Sequence, residues 1–297
     1  MNNKVLVAAF IAGLAGGVLA AGLLSVLVNR NGAGNAVVPP PAESAAIAGK
    51  PAQTPDSGAR SDDSAKAFGE KVRAYLLRSP EVLAEAIGVL QTRQYQAGLE
   101  QQRKMIRENA SVLRHDADSA VGGNPDGDVT VVEFFDYNCP YCKRIHPVLK
   151  QLLAEDKGVR FVYKDFPVLG PNSVLAARAA LAARRQKKYE AFHDALLERP
   201  AKLTEEAIWQ AASKVGLDVV RLQNDMRDPA ISQAIDRNIS LGQVLRITGT
   251  PTIVIGETLI PGAVDRPVLD LVIQHTRAGD PPLDPRNLGR LNQTRER

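Results

Sequence analysis

Between residues 122 and 278 the apolar pattern changes period in one order, and that order leaves few folds open. GGNPDGD at 122–128 is a turn cluster, and VTVVEFF at 129–135 is a β-branched, aromatic strand. The strand runs into DYNCPYCKRIHP at 136–147, where Pro140 suits the first turn of a helix and Pro147 is expected to bend it. VRFVYKDFP at 159–167 is a second strand, followed by a long helical region. TPTIVIG at 250–256 and TLIPGAV at 258–264 form an expected hairpin, and RPVLDLVIQHTRAG a closing helix. Strand, helix, strand, helices, hairpin and helix describe an α/β domain over 119–279 with a helical insertion.

The remaining chain divides by composition. Val5–Val28 carries no charge between Lys4 and Arg30, and at roughly 1.5 Å per helical residue it spans a hydrocarbon core of about 30 Å. We read residues 1–28 as an uncleaved membrane anchor in preference to a signal sequence cut after Ala20, because the apolar run continues past that point. Either reading exports the rest of the chain, and the compartment is then expected to be oxidising. Residues 29–63 are rich in Pro, Ala, Gly and Ser, and are expected to be a disordered tether. From 64 to 115 helix formers dominate; Ser79-Pro80 divides a short helix from a long one, with Ser79 as N-cap. Leu83, Ile87 and Leu90, then Leu99, Ile106 and Leu113, form a thin apolar stripe. Such a stripe suits an oligomerisation stalk, preferred here over a helix packed on its own domain. The tail at 280–297 is expected to be loose. A net charge of +4 with acids and bases interspersed gives no nucleic-acid footprint.

Cys139 and Cys142 are the chain's 2 cysteines. A structural zinc needs four ligands, and the 4 histidines form no recognised ligand spacing with this pair, so no metal is assigned. Two thiolates could hold Cu(I), which stays open. A disulfide across one helical turn closes too small a loop to stabilise the fold. A reactive pair fits better. At the start of a helix the Cys139 sulfur meets free N–H groups and the positive end of the helix dipole, which favour thiolate. Cys142, one turn inward, is placed to attack a mixed disulfide on Cys139.

VEFFDYNCPYC, the following Pro147, a helical insert and GTPT entering a late strand together resemble the DsbA-like, helix-inserted form of the thioredoxin fold, across Val121–Ala278. YLLRSPEVLAEAIGVLQ resembles the N-terminal segment of suppressor-of-copper-sensitivity (ScsC-like) envelope proteins, some of which oligomerise through it. The resemblance implies a thiol–disulfide oxidoreductase, an isomerase or reductase with a disulfide-introducing oxidase as the alternative, and no cofactor beyond the Cys139–Cys142 disulfide. It implies a cis-proline at Pro251 beside the cysteines, and Thr250 offering backbone groups to a client. Threonine there accompanies isomerases and reductases more than strong oxidants. Pro140 and Tyr141 would border the client, and Glu133 would be a buried acid moving the Cys142 proton, with Lys164 as a candidate pair. Implied partners are exported protein thiols and disulfides and a membrane redox partner. His146 and Trp209 are expected to be packing residues.

Overall fold

The computed structural model describes residues 58–288. The apolar run Val5–Val28, most of the expected tether and residues 289–297 lie outside the described residues. Among the described residues, no helix is long and apolar enough to cross a membrane. The chain divides into residues 1–66 and 67–297. Of the first unit only the opening turns of one helix are described, and the second holds every strand and both cysteines.

One five-stranded sheet organises the second unit. Its strands are β1 (Ala120–Gly123), β2 (Val129–Phe135), β3 (Val159–Asp165), β4 (Thr252–Ile255) and β5 (Thr258–Pro261), in the order β1-β3-β2-β4-β5. β2 and β3 are parallel, and the other pairs antiparallel. The fold is a thioredoxin-like α/β fold with a mixed sheet. Central β2 is buried on both faces, which is why its sequence is a continuous apolar run. Side-chain alternation sends Val131 and Phe135 into a core with Phe161 and Ile253, and Val132 and Phe134 into a second core with Val162 and Val254.

β1 overlaps the first two residues, Gly122 and Gly123, of the stretch read as a turn cluster. Two of its four residues are glycine, and a Cβ on Gly122 would lie 2.7 Å from the Tyr163 hydroxyl. Close approach to β3 requires glycine, which erases the alternation that marks a strand.

α4 (Pro140–Glu155) follows β2, α10 (Arg266–Arg277) follows the hairpin, and α5 (Pro171–Ala183), α6 (Tyr189–Leu197), α7 (Glu205–Lys214), α8 (Val219–Asp225) and α9 (Pro229–Val244) form the insertion. α4 continues through Pro147 as one element. Thr204, Asp218 and Asp228 cap α7, α8 and α9 with side-chain oxygens that accept backbone N–H groups. Trp209 packs partly buried against the main core, as expected of a packing residue.

The N-terminal helices and the C-terminal tail depart from expectation. α1 (Gly58–Arg78) begins inside the stretch read as tether and is not short. α2 (Glu81–Glu108) has Pro80 at its cap position, and Ser79 contributes its carbonyl to the Val82 N–H instead of a side-chain cap. The single stripe splits: Leu99, Ile106 and, on α3 (Ala110–His115), Leu113 are buried, Ile106 and Leu113 in the second core, whereas Leu83, Ile87 and Leu90 are exposed. Seven-residue spacing at 99–113 therefore reports packing on the domain itself. Finally, the tail is held as far as Leu288: Tyr95 donates to Asp284 Oδ1 at 2.7 Å, Leu283 N–H donates to Thr258 Oγ1, and Leu288 is buried.

Candidate active site

β2 delivers the chain to the sheet edge, and Asp136 then fixes the loop. Its carboxylate accepts from Asn138 N (2.7 Å), Ser173 Oγ (2.7 Å), Val168 N (2.8 Å) and Leu169 N (2.9 Å). Asn138 extends the tie, donating to Ser173 Oγ and accepting from Leu203 N at 2.7 Å. These bonds join the cysteine loop to the β3–α5 loop and to the segment before α7. Sequence reading missed Asp136, Asn138 and Ser173. The only local signal was an Asx pattern before a helix start, which does not announce partners 35 residues away.

Cys139 occupies the N-cap of α4 and Pro140 its first position. Both cysteines are free and buried. The Cys139 Sγ donates to the Thr250 carbonyl at 3.1 Å, and the Thr250–Pro251 bond is cis. The Cys139 pKa is lowered from 9.0 to about 5, first by a hydrogen bond from the Cys142 thiol, against the opposing effect of burial; the Thr250 side chain and the backbone N–H groups of Cys142 and Tyr141 lower it further. The Cys142 thiol is pushed up by burial, then by Cys139 and the charge of Glu133. Tyr141 is exposed beside the motif, with the Arg144 guanidinium 4.8 Å from its ring centroid.

Glu133 is 2% exposed, and its Oε1 has no hydrogen-bond partner. Burial, then the charge of Cys139, raises its pKa from 4.5 to about 8. A carboxyl that is neutral at pH 7 and electrostatically coupled to both sulfurs is suited to exchanging a proton with Cys142. Lys164 is not its partner. The β2–β3 register puts Tyr163 beside Glu133 and Lys164 beside Phe134, so Lys164 projects to the opposite face. There its ammonium donates to Asp116 Oδ2 at 2.8 Å and to the Val112 carbonyl at 2.9 Å.

His146 is buried, with Nε2 3.2 Å from Asp194 Oδ1, and the Tyr137 hydroxyl lies 3.1 Å from His193 Nδ1. His146, His193 and Asp194 bring ligand-type atoms within 4.8 Å of one another, a meeting of α4 and α6 that linear spacing cannot reveal. The Lys150 ammonium lies 2.8 Å from the other Asp194 oxygen, Oδ2.

Glu133 and Cys139 set opposing pH slopes. The folded pKa of Glu133 is raised, so its penalty is absent below about 4.5 and grows as pH rises towards about 8. The Cys139 pKa is depressed, so its stabilisation, full above 9.0, is lost as pH falls through about 5. In the oxidised protein the thiolate contribution is gone. Melting temperature should therefore fall from pH 5 to pH 8 in the oxidised form and change less in the reduced form, and Glu133→Gln should make the oxidised profile less steep, leaving the slope that buried Asp165, raised to about 7, adds to both forms. Parallel profiles for the two redox forms would contradict this coupling.

A low-pKa thiol at a helix start, a shielded second thiol and a cis-proline loop against the first define a thiol–disulfide exchange centre. The DsbA-like thioredoxin domain model matches residues 130–274, and the ScsC N-terminal domain model, described as copper resistance protein, matches residues 66–97. A thioredoxin-like oxidoreductase from Silicibacter pomeroyi DSS-3 is 46% identical, covering 57% of this chain and 97% of its own, with a TM-score of 0.56. Proteus mirabilis ScsC in a transitional conformation is 31% identical, covering 75% and 99%, with a TM-score of 0.56. The probable disulfide bond formation protein D of Bacillus cereus is 28% identical over 150 residues, 46% of this chain and 69% of that protein. The chain also matches 21% to 26% of the length of curated sodium/proton antiporters, so it spans about a quarter or less of those relatives. The chain belongs to the DsbA-like thioredoxin-fold thiol–disulfide oxidoreductases, with an ScsC-type N-terminal segment.

Proposed function

We propose that the protein exchanges disulfides with exported polypeptides in the bacterial envelope, as an isomerase or reductase. The observation that carries the exchange chemistry is the placement of the two thiols, Cys139 at the start of α4 with its pKa lowered to about 5, and Cys142 buried with its pKa pushed up. Cys139 thiolate attacks one sulfur of a client disulfide, and the other client sulfur leaves as thiolate. The ionised fraction of Glu133 accepts the Cys142 proton, and the Cys142 thiolate attacks Cys139 Sγ, forming the Cys139–Cys142 disulfide and releasing the second client thiolate, after which the neutral Glu133 returns its proton to solvent or to the next thiolate. A reduced membrane partner would restore the dithiol. Thr250 and Pro251 would hold the client backbone, with Pro140 and Tyr141 on the other side. Thr250 favours isomerisation or reduction over oxidation, through the resemblance to the DsbA-like family. Insulin reduction by the full chain tests the reading: Cys139→Ser should lose it, and retained activity would sink the mechanism.

Residues 1–28 are proposed to tether the protein to the inner membrane, with the catalytic domain in the periplasm. The exposed apolar stripe Leu83, Ile87 and Leu90, continued by exposed Phe68 and Leu77, supports self-association through α1 and α2. Light scattering should then give a multimer that Leu83→Glu with Ile87→Glu reduces to a monomer; a monomeric wild type would remove the stalk. Cu(I) binding by the thiol pair remains the second reading, favoured by the low Cys139 pKa.

A further inference from the structure

A cavity of about 690 Å³ opens beside the cysteine loop, between the buried half of α2 and the segment that leads into β4. Tyr95, Leu99, Tyr141 and Pro251 give it a mainly apolar wall. Its charged lining residues are Arg246 and Arg286, with no acid facing them from the lining. Arg286 is occupied: its guanidinium lies 3.0 Å from the Tyr95 ring centroid and 3.2 Å from Asp284 Oδ2. Arg246 is exposed and, among the described residues, makes no side-chain hydrogen bond or ion pair.

The backbone at Arg246 is the second observation. α9 ends in a Schellman arrangement, in which Arg246 N–H donates to the Gln243 carbonyl and Ile247 N–H to the Gly242 carbonyl. Arg246 occupies the left-handed position of that motif, at φ 57, where glycine is the default and a side chain is strained. A helix stop alone would be better served by glycine. The arginine instead holds an unpaired cation at the groove mouth, four residues before Thr250, whose carbonyl touches the reactive sulfur.

We infer that Arg246 is a specificity-determining residue that favours client segments carrying an acidic residue close to the reacting cysteine, with apolar neighbours in the groove. This role rests on the thiol-exchange function proposed for the same site. A client strand lying along Thr250–Pro251 advances about 3.3 Å per residue, which brings flanking side chains within reach of a long guanidinium stem. Asp284 offsets the charge of Arg286, so Arg246 supplies the unbalanced positive field on this side of the groove.

Two model peptides test it, each holding one disulfide, identical except for aspartates or lysines flanking a cysteine. A small neutral disulfide serves as a third substrate. At low salt the full chain should react with the acidic peptide roughly three- to tenfold faster than with the basic one, and the ratio should shrink as salt is added. Arg246→Gly relieves the left-handed backbone, so it should fold at least as well as wild type while bringing the ratio towards one. Arg246→Glu should bring the ratio to one or invert it. A ratio near one in wild type, or a ratio unaltered in Arg246→Glu, overturns the inference. No reaction of wild type with the neutral disulfide overturns the thiol-exchange reading instead.

Discussion

Serine in place of Cys142 is expected to turn the protein into a client trap. Cys142 is fully buried one turn inside α4, so its thiol is shielded from bulk reductants yet adjacent to the Cys139 sulfur. Intramolecular attack gains a large effective concentration from this placement, and its loss should slow turnover by about a hundredfold or more. The first step should survive, because a serine hydroxyl can still donate to the Cys139 thiolate. Stoichiometric mixed disulfide with a client, seen by mass spectrometry, is the expected product. Cys142→Ala behaves differently: it removes the hydrogen bond that lowers the Cys139 pKa most, so that pKa should rise and the first attack at pH 6 should slow. Wild-type turnover in Cys142→Ser would show that Cys142 does not resolve the adduct.

Asp136→Ala carries the largest expected effect on stability. The carboxylate is 1% exposed and receives three backbone N–H groups and the Ser173 hydroxyl, all at 2.7–2.9 Å. Alanine leaves these donors unpaired at the point where β2, the β3–α5 loop and α5 meet. Each orphaned buried group costs about 1–3 kcal/mol, and because the four are coupled the total is put at about 3–5 kcal/mol. In a domain of this size that corresponds to roughly 10 °C in melting temperature. The loop displacement should also raise the Cys139 pKa, since Cys139 N–H donates to the Asp136 carbonyl at 3.0 Å and the loop aims Sγ at the helix start. A loss below about 1 kcal/mol would mean that solvent replaces the carboxylate easily.

The difference between what could be read from residues and what could not comes from the range of the interactions. Cys139, Cys142 and Pro140 declare themselves because a helix start, a nucleophile and a resolving group are specified within one turn. Thr250 and Pro251 lie 111 residues or more from Cys139, and only the resemblance joined them to it; the structure brings Thr250 into contact with the sulfur. Lys164 failed as a partner for Glu133 because pairing across β2 and β3 depends on register, and an offset of one residue moves a side chain to the other face. Glu133 was expected to be a buried acid only through the resemblance; the structure buries it without a partner for Oε1, which favours the neutral form. The apolar stripe of α2 could not be apportioned between domain and partner, because Leu90 and Leu99 obey similar periodicity and differ only in what faces them. β1 was invisible for a simpler reason: Gly122 makes room for the ring of Tyr163 and Gly123 for the Val159 carbonyl, and neither carries a pattern.

Exchange at this site turns on an ionised Cys139 beside a protonated Cys142. Ultraviolet thiolate absorbance of the reduced protein, followed from pH 3 to pH 10 with Cys139→Ser as the blank, measures this directly. One thiolate should appear with a midpoint near about 5 and vanish in Cys139→Ser, with no second thiolate over the range. A single transition near the ordinary cysteine value of about 8.5, or one retained in Cys139→Ser, would contradict the assignment of nucleophile and resolving thiol.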